Sequence, residues 1–288
     1  MRSVSDPNAN VRVTVDTEKL RAHPLGPRVG AILRSIYQWR DFLGPAGIDP
    51  VRDIDRLYIV GPQLRRSANV TVLIQHRLGQ ERMHEALDRL VQRDPSAGGW
   101  QQAKVPTAAA MADGSLRYFV QSKPNMVVIT PKETLAASQR FALPFLPRLA
   151  DRIVMTAYLV TPWRAARGLP IQVPQSIESV KFEIEAAEDG GAIVHIDAKD
   201  ESSDVAKQNA ERLAPAVRAL CRYGLDFCQR VEFESNGDRI LGTVTISQRS
   251  IMDLLDIAGI LLVPAAPRPA TSAAPPTGAT PPTGATAP

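Results

Sequence analysis

The chain has 288 residues, 44% hydrophobic and 22% charged; that balance fits a globular chain, and its longest apolar run, 257–266, is about half of what a membrane span needs. A net charge of +4 and a pI near 9.2 raise the question of nucleic acid. Against it, basic positions are interleaved with 30 acidic ones and only Arg65-Arg66 forms a dense cluster, so a nucleic-acid partner is not expected.

In chain order, Val11 to Val15 alternates like a strand, and Pro27 to Leu43 reads as one long helix. Val29, Ile32, Leu33, Ile36 and Leu43 share a face, and Gly44-Pro45 marks the stop. Arg56 to Val60 and Val70 to His76 form a strand pair across the basic loop 61–69. Met83, Leu87, Leu90 and Val91 then recur at helical spacing. Leu116 to Gln121 and Met126 to Ile129 make a hairpin over Lys123-Pro124-Asn125. Thr130-Pro131-Lys132-Glu133 has the cap, first-turn proline and glutamate of a helix start.

A second pass of the same pattern follows. Ile153 to Val160 is a strand, with a short helical turn near Trp163 to Arg167. Val180 to Ala186 and Ile193 to Ala198 flank Asp189-Gly190-Gly191 as a hairpin. Ser202 or Ser203 caps a helix along Ala206, Ala210, Leu213, Val217 and Leu220 that Gly224 stops, with a bend expected at Pro215. Val231 to Glu234 and Ile240 to Ile246 enclose Asn236-Gly237, a dipeptide suited to a tight hairpin turn. From Ser250, the positions Ile251, Leu254, Leu255 and Ala258 give a final amphipathic helix, with Asp253 placed as in a capping box.

These elements predict an α+β protein made of two tandem similar strand-helix-hairpin-helix-hairpin-helix units, residues 1–140 and 151–263. Antiparallel sheet would pack against helices, and the apolar junction Phe141 to Asp151 would join the units into one body. Residues 264–288 are a Pro/Ala/Thr-rich tail containing an immediate repeat of Pro-Pro-Thr-Gly-Ala-Thr, a composition expected to be disordered or polyproline-like.

Chemistry is sparse along the chain. Glu81 and His84 form one Glu-x-x-His with no second copy, and His195 precedes Asp197 on one face of a strand. Asp49, Asp53 and Asp55 are close enough in sequence to consider a cation, but Arg52 and Arg56 offset their charge. Cys221 and Cys228 suit either a disulfide across a turn or two small buried side chains, and the sequence leaves both open. Trp39, Trp100 and Trp163 read as packing residues. No catalytic, metal-binding or cofactor-binding residue is expected, and no cofactor is implied.

The run Asp16-Thr17-Glu18-Lys19-Leu20-Arg21-Ala22-His23-Pro24-Leu25, then Trp39, Gly47-Ile48-Asp49-Pro50 and Asp55-Arg56-Leu57, resembles a segment of uncharacterised, often exported or lipid-anchored proteins of Gram-negative bacteria. The resemblance covers roughly the first 60 residues and implies a place in the cell envelope. It implies no activity and no site residue. Relatives of that kind usually begin with an export signal, and Met1 to Pro7 has no apolar core of one. The function expected is therefore a noncatalytic binding or scaffold protein, its partner an unidentified protein or small ligand. The alternative is an enzyme whose site is assembled only in three dimensions.

Overall fold

The structure is a computed structural model that describes residues 9–24, 26–35, 37–62, 69–112, 114–140, 146–165, 173–219 and 231–253. Among the described residues twelve antiparallel strands form one sheet: β1 (Val11–Asp16), β2 (Ile54–Gly61), β3 (Thr71–His76), β4 (Gly99–Gln101), β5 (Thr107–Ala112), β6 (Ser115–Lys123), β7 (Met126–Thr130), β8 (Ile153–Val160), β9 (Ile177–Ala186), β10 (Ala192–Asp200), β11 (Glu232–Asn236) and β12 (Arg239–Ile246). Their order is β11-β12-β10-β9-β8-β1-β2-β3-β7-β6-β5-β4. The helices are α1 (Thr17–Ala22), α2 (Gly26–Ser35), α3 (Tyr37–Ala46), α4 (Gln80–Arg93), α5 (Leu135–Gln139), α6 (Pro162–Ala165), α7 (Ser203–Arg218) and α8, described over 248–253.

The α+β expectation is corrected by this sheet. Strands dominate, and the helices run from 4 residues in α6 to 16 in α7. The helix expected over Pro27 to Leu43 is described as α2 and α3 on either side of residue 36, which lies outside the described residues. Strands β4 and β5 also add to the sheet, and the alanine-rich β5 gave no alternating signal because its residues are nearly all buried.

The two halves of the chain share strand order, and they meet where β1 pairs with β8. From that seam outward the order is β1-β2-β3-β7-β6 on one side and β8-β9-β10-β12-β11 on the other. Each hairpin next to the seam slips register at the same place, beside Ile54–His76 in one half and Ile177–Asp200 in the other.

One side of the sheet carries the main core. Val13, Leu57, Ile74, Val127 and Phe119 lie on it, and over them pack Phe42 and Leu43 of α3 and Met83, Leu87 and Leu90 of α4. The Phe42 and Phe119 rings lie 5.3 Å apart, in contact range for a tilted aromatic pair. In the C-terminal half α7, capped by the Ser202 hydroxyl accepting from the Val205 N–H, sets Ala206 and Ala210 against Val180, Ala198 and Ile240. On the opposite side of β2, β3, β6 and β7 a second core forms from Tyr58, Leu73, Val120 and Val128, and Leu146 closes it. Within the junction, Leu146 is thus buried, Pro147 and Arg148 are exposed, and 141–145 lie outside the described residues.

Polar groups fasten that junction to the seam. The Leu146 N–H donates to Gln75 Oε1 at 2.9 Å, and Lys19 Nζ of α1 donates to the Leu149 and Ile153 carbonyls at 3.0 and 3.1 Å. Beside them Arg56, with 4% of its side chain exposed, faces Asp16 at 3.5 Å, Glu18 at 3.1 Å and Gln75 at 3.4 Å. Removing one partner of such a pair strands the other charge away from water, which costs far more than the pair itself contributes. Arg56→Ala is expected to lower stability by roughly 3–5 kcal/mol. Arg152→Ala, which breaks exposed pairs with Glu185 and Glu188, is expected to cost about 1 kcal/mol or less. Urea denaturation of both variants checks the contrast, and equal losses would contradict it.

Candidate functional site

Register across the seam builds a surface that no single strand reveals. Arg12 of β1 stands opposite Tyr158 of β8, Tyr158 opposite Lys181 of β9, Lys181 opposite Asp197 of β10, Asp197 opposite Leu241 of β12, and Leu241 opposite Glu234 of β11. The next row on that side is Thr14, Thr156, Glu183, His195, Thr243 and Glu232. Residues directly opposite on one face of an antiparallel sheet lie within about 5.5 Å, so these side chains form continuous cross-strand ladders.

Opposite charges pair along the ladders. Arg239 reaches both carboxylate oxygens of Asp197, Nε at 2.8 Å; Lys181 meets Glu183 at 2.8 Å; Lys199 meets Glu178 at 2.6 Å; and His195 Nε2 lies 3.3 Å from Glu185. The hydrogen bond to Glu178 holds Lys199 above the ordinary lysine range, and that to Asp197 does the same for Arg239. Two large apolar side chains stand among these charges, Tyr158 with 37% and Leu241 with 38% of its surface exposed. The Arg12 guanidinium lies 6.0 Å from the Tyr158 ring centre, at the outer limit of a cation–π contact.

The same side of the N-terminal half is the apolar surface closed by Leu146. The two halves thus carry different chemistry on one side of one sheet. The polar side of β8–β12 can offer hydrogen-bond donors, acceptors and both signs of charge around an aromatic centre.

Of the residues singled out from sequence, His195 and Asp197 stand in these ladders, and the others that are described fall elsewhere or serve packing. Asp49 accepts from the Val51 and Arg52 N–H groups and pairs with Arg34, while Asp55 pairs with Arg21 and Arg77. Burial raises the Asp53 carboxyl, but two hydrogen bonds from Arg52 and one from the Asp49 N–H outweigh it and leave the group below its usual range. The three carboxylates are thereby committed, and among the described residues no group of His, Cys, Asp or Glu could hold a metal ion. His84 stacks on Trp100 with ring centres 4.2 Å apart, while Trp100 donates to Asp88; Glu81 is exposed in the first turn of α4. Asp197 pairs with Arg239 and not with His195. Trp163 lies beside Arg164, 4.9 Å from guanidinium carbon to ring centre. The Trp39 side chain, Cys221, Cys228 and the tail lie outside the described residues.

The sequence reading missed Arg12, Tyr158, Lys181, Arg239 and Leu241. Arg12, Lys181 and Arg239 are polar positions of their strands, whereas Tyr158 and Leu241 stand among apolar neighbours, and only register sets the five side by side.

Among the described residues no helix is long and apolar enough to cross a membrane. Comparison of the chain with protein-family models, with curated proteins and with solved structures returns no match.

His76 bears on stability at acid pH. It ends β3 with 2% exposure, one ring nitrogen 3.1 Å from the Leu78 carbonyl, and burial lowers its pKa to about 4 from the ordinary 6.5. The unfolded chain therefore takes up this proton first as pH falls. The stabilisation is complete above pH 6.5, declines below it and is gone near pH 4, amounting to roughly 3 kcal/mol in all. His76→Leu should remove that part of the pH dependence. Urea midpoints of both proteins between pH 7 and pH 4 measure it, and parallel curves would contradict the assignment.

Proposed function

We propose that this protein is a noncatalytic binding protein that docks a protein partner on the polar side of β8–β12. The observation that carries the reading is the exposure of Tyr158 and Leu241 within a ladder of paired charges. Interfaces concentrate binding energy in a few large aromatic or cationic anchors, with a polar rim that excludes water and fixes orientation. Tyr158 between Arg12 and Lys181 has the chemistry of such an anchor. The pairs Arg239–Asp197 and Lys181–Glu183 are already satisfied within the fold, so a partner adding one hydrogen bond to each leaves no charge stranded.

The polarity contrast between the halves supports the same reading. Where β2, β3, β6 and β7 show apolar side chains, the chain itself covers them; where β8–β12 show charges, the surface is open to a partner able to match both signs. The cell-envelope location implied by the N-terminal resemblance belongs to this proposal, with the Pro/Ala/Thr-rich tail as a spacer.

Photo-crosslinking in the cells that make the protein tests it. A benzophenone amino acid at position 158 or 241 is expected to give one discrete protein adduct, lost when Lys181 and Arg239 are both changed to Glu. The same probe at Leu116, exposed on the other half, is expected to give none. Equal labelling at all three positions, or no adduct at 158 and 241, would overturn the reading.

A further inference from the structure

We infer, resting on the docking surface proposed above, that its partner is a second copy of this chain. The two copies pack face to face about a two-fold axis that runs along the strands midway between β9 and β10. From β1 to β11 the row through Tyr158 runs Arg12, Tyr158, Lys181, Asp197, Leu241 and Glu234, and all but the half-buried Asp197 are exposed. Its chemistry is cation, aromatic, cation, anion, apolar, anion. Such a row is complementary to its own reverse. The two-fold sets Arg12 against the partner's Glu234, Tyr158 against the partner's Leu241 and Lys181 against the partner's Asp197. Each contact then occurs twice, as an isologous interface requires.

Three observations choose a second copy over an unrelated protein. First, the charges that the fold leaves over are the ones that meet. Among the described residues Arg12 has the Tyr158 ring and no carboxylate beside it, and Glu234 has no ion pair. Lys181, Lys199, Arg239 and His195 all have carboxylate partners within the chain. Arg12 and Glu234 stand five strand spacings apart, about 24 Å, so one chain cannot pair them. Second, the neighbouring rows agree. The same axis sets Glu183 against the partner's His195 and Thr156 against the partner's Thr243. One row further, Ser179 meets the partner's Lys199 and Val160 meets the partner's Arg239, so no like charges face each other there. Third, nearby placements are worse. An axis moved onto β9 sets Lys181 against itself, one moved onto β10 does so for Asp197, and one laid across the strands along this row opposes every member to itself. Like charges so opposed disfavour an interface. An axis along the strands also keeps the two sheets aligned, as sheets that pack face to face generally are.

Light scattering on the purified full chain over a wide range of concentration is expected to show a monomer–dimer equilibrium. Arg12→Glu and Glu234→Arg should each weaken the dimer by about tenfold or more, since either reversal sets two like-charged pairs face to face. The double variant should regain most of the lost affinity, because the same two contacts return with their signs exchanged. An equimolar mixture of the two single variants should form a heterodimer for the same reason. Both positions are exposed, so circular dichroism is expected to show unchanged folding. In the crosslinking experiment above, the adduct at position 158 should have twice the chain's mass and join that position to the strand carrying Leu241. A chain that stays monomeric at every concentration, or a dimer whose loss neither the double variant nor the mixture repairs, would overturn the proposal. So would adducts at 158 and 241 to a different protein, a result that keeps the docking surface. Absence of any adduct would remove both readings.

Discussion

Backbone pairing between β1 and β8 is the constraint on which the rest of the structure depends. Five residue pairs, Val11 with Leu159 through Val15 with Met155, turn two runs of strands into one sheet. Without them each run would end in an unpaired edge of consecutive N–H and C=O groups at the middle of the molecule, a costly arrangement for groups shielded from water. The polar contacts around the seam act in the same direction. Arg56 with Asp16, and Lys19 with the carbonyls of 149 and 153, tie the crossover segment to the strand it must reach. The polar ladder also depends on this pairing, since Arg12 comes from one side of the seam and Tyr158 from the other.

The sheet's two sides follow from the alternation of its strands. In β12 every second residue is buried, which is the signature of a strand with one face on a core and one toward water. In β3 and β7 every residue is buried, because helices cover one side and Ala9, Leu135 and Leu146 pack on the other. The N-terminal half is therefore a closed three-layer body at its centre. The C-terminal half keeps one polar side open, and that difference, not a difference in strand order, separates what the halves can do.

Much of the strand pattern was legible in the sequence because its turns are chemically distinctive. Asn236-Gly237, Asp189-Gly190-Gly191 and Lys123-Pro124-Asn125 all sit between paired strands, with Gly237 and Gly190 in the left-handed region that glycine tolerates best. The Ser202 cap of α7 was legible for the same reason, being a local hydrogen bond. The balance of helix and strand was misjudged where local signals are silent. Buried alanines in β5 alternate nothing, and α1 is too short to show a period. The candidate surface was hidden for a different reason. Arg12 and Leu241 are 229 positions apart, and only long-range register, which a single sequence does not encode visibly, places them in one row.

Amide hydrogen exchange across the seam tests the account most directly. If β1 and β8 join one cooperative sheet, the amides of Thr14 and Thr156, which bond across the seam in the alternation that the Val160 N–H to the Asn10 carbonyl sets, should exchange only through global unfolding. Their exchange free energies should then match those of Leu73 and Ile240, deep in the two halves. Fast exchange of the β8 amides while β3 stays protected, with β8–β12 opening as a separate unit, would contradict it.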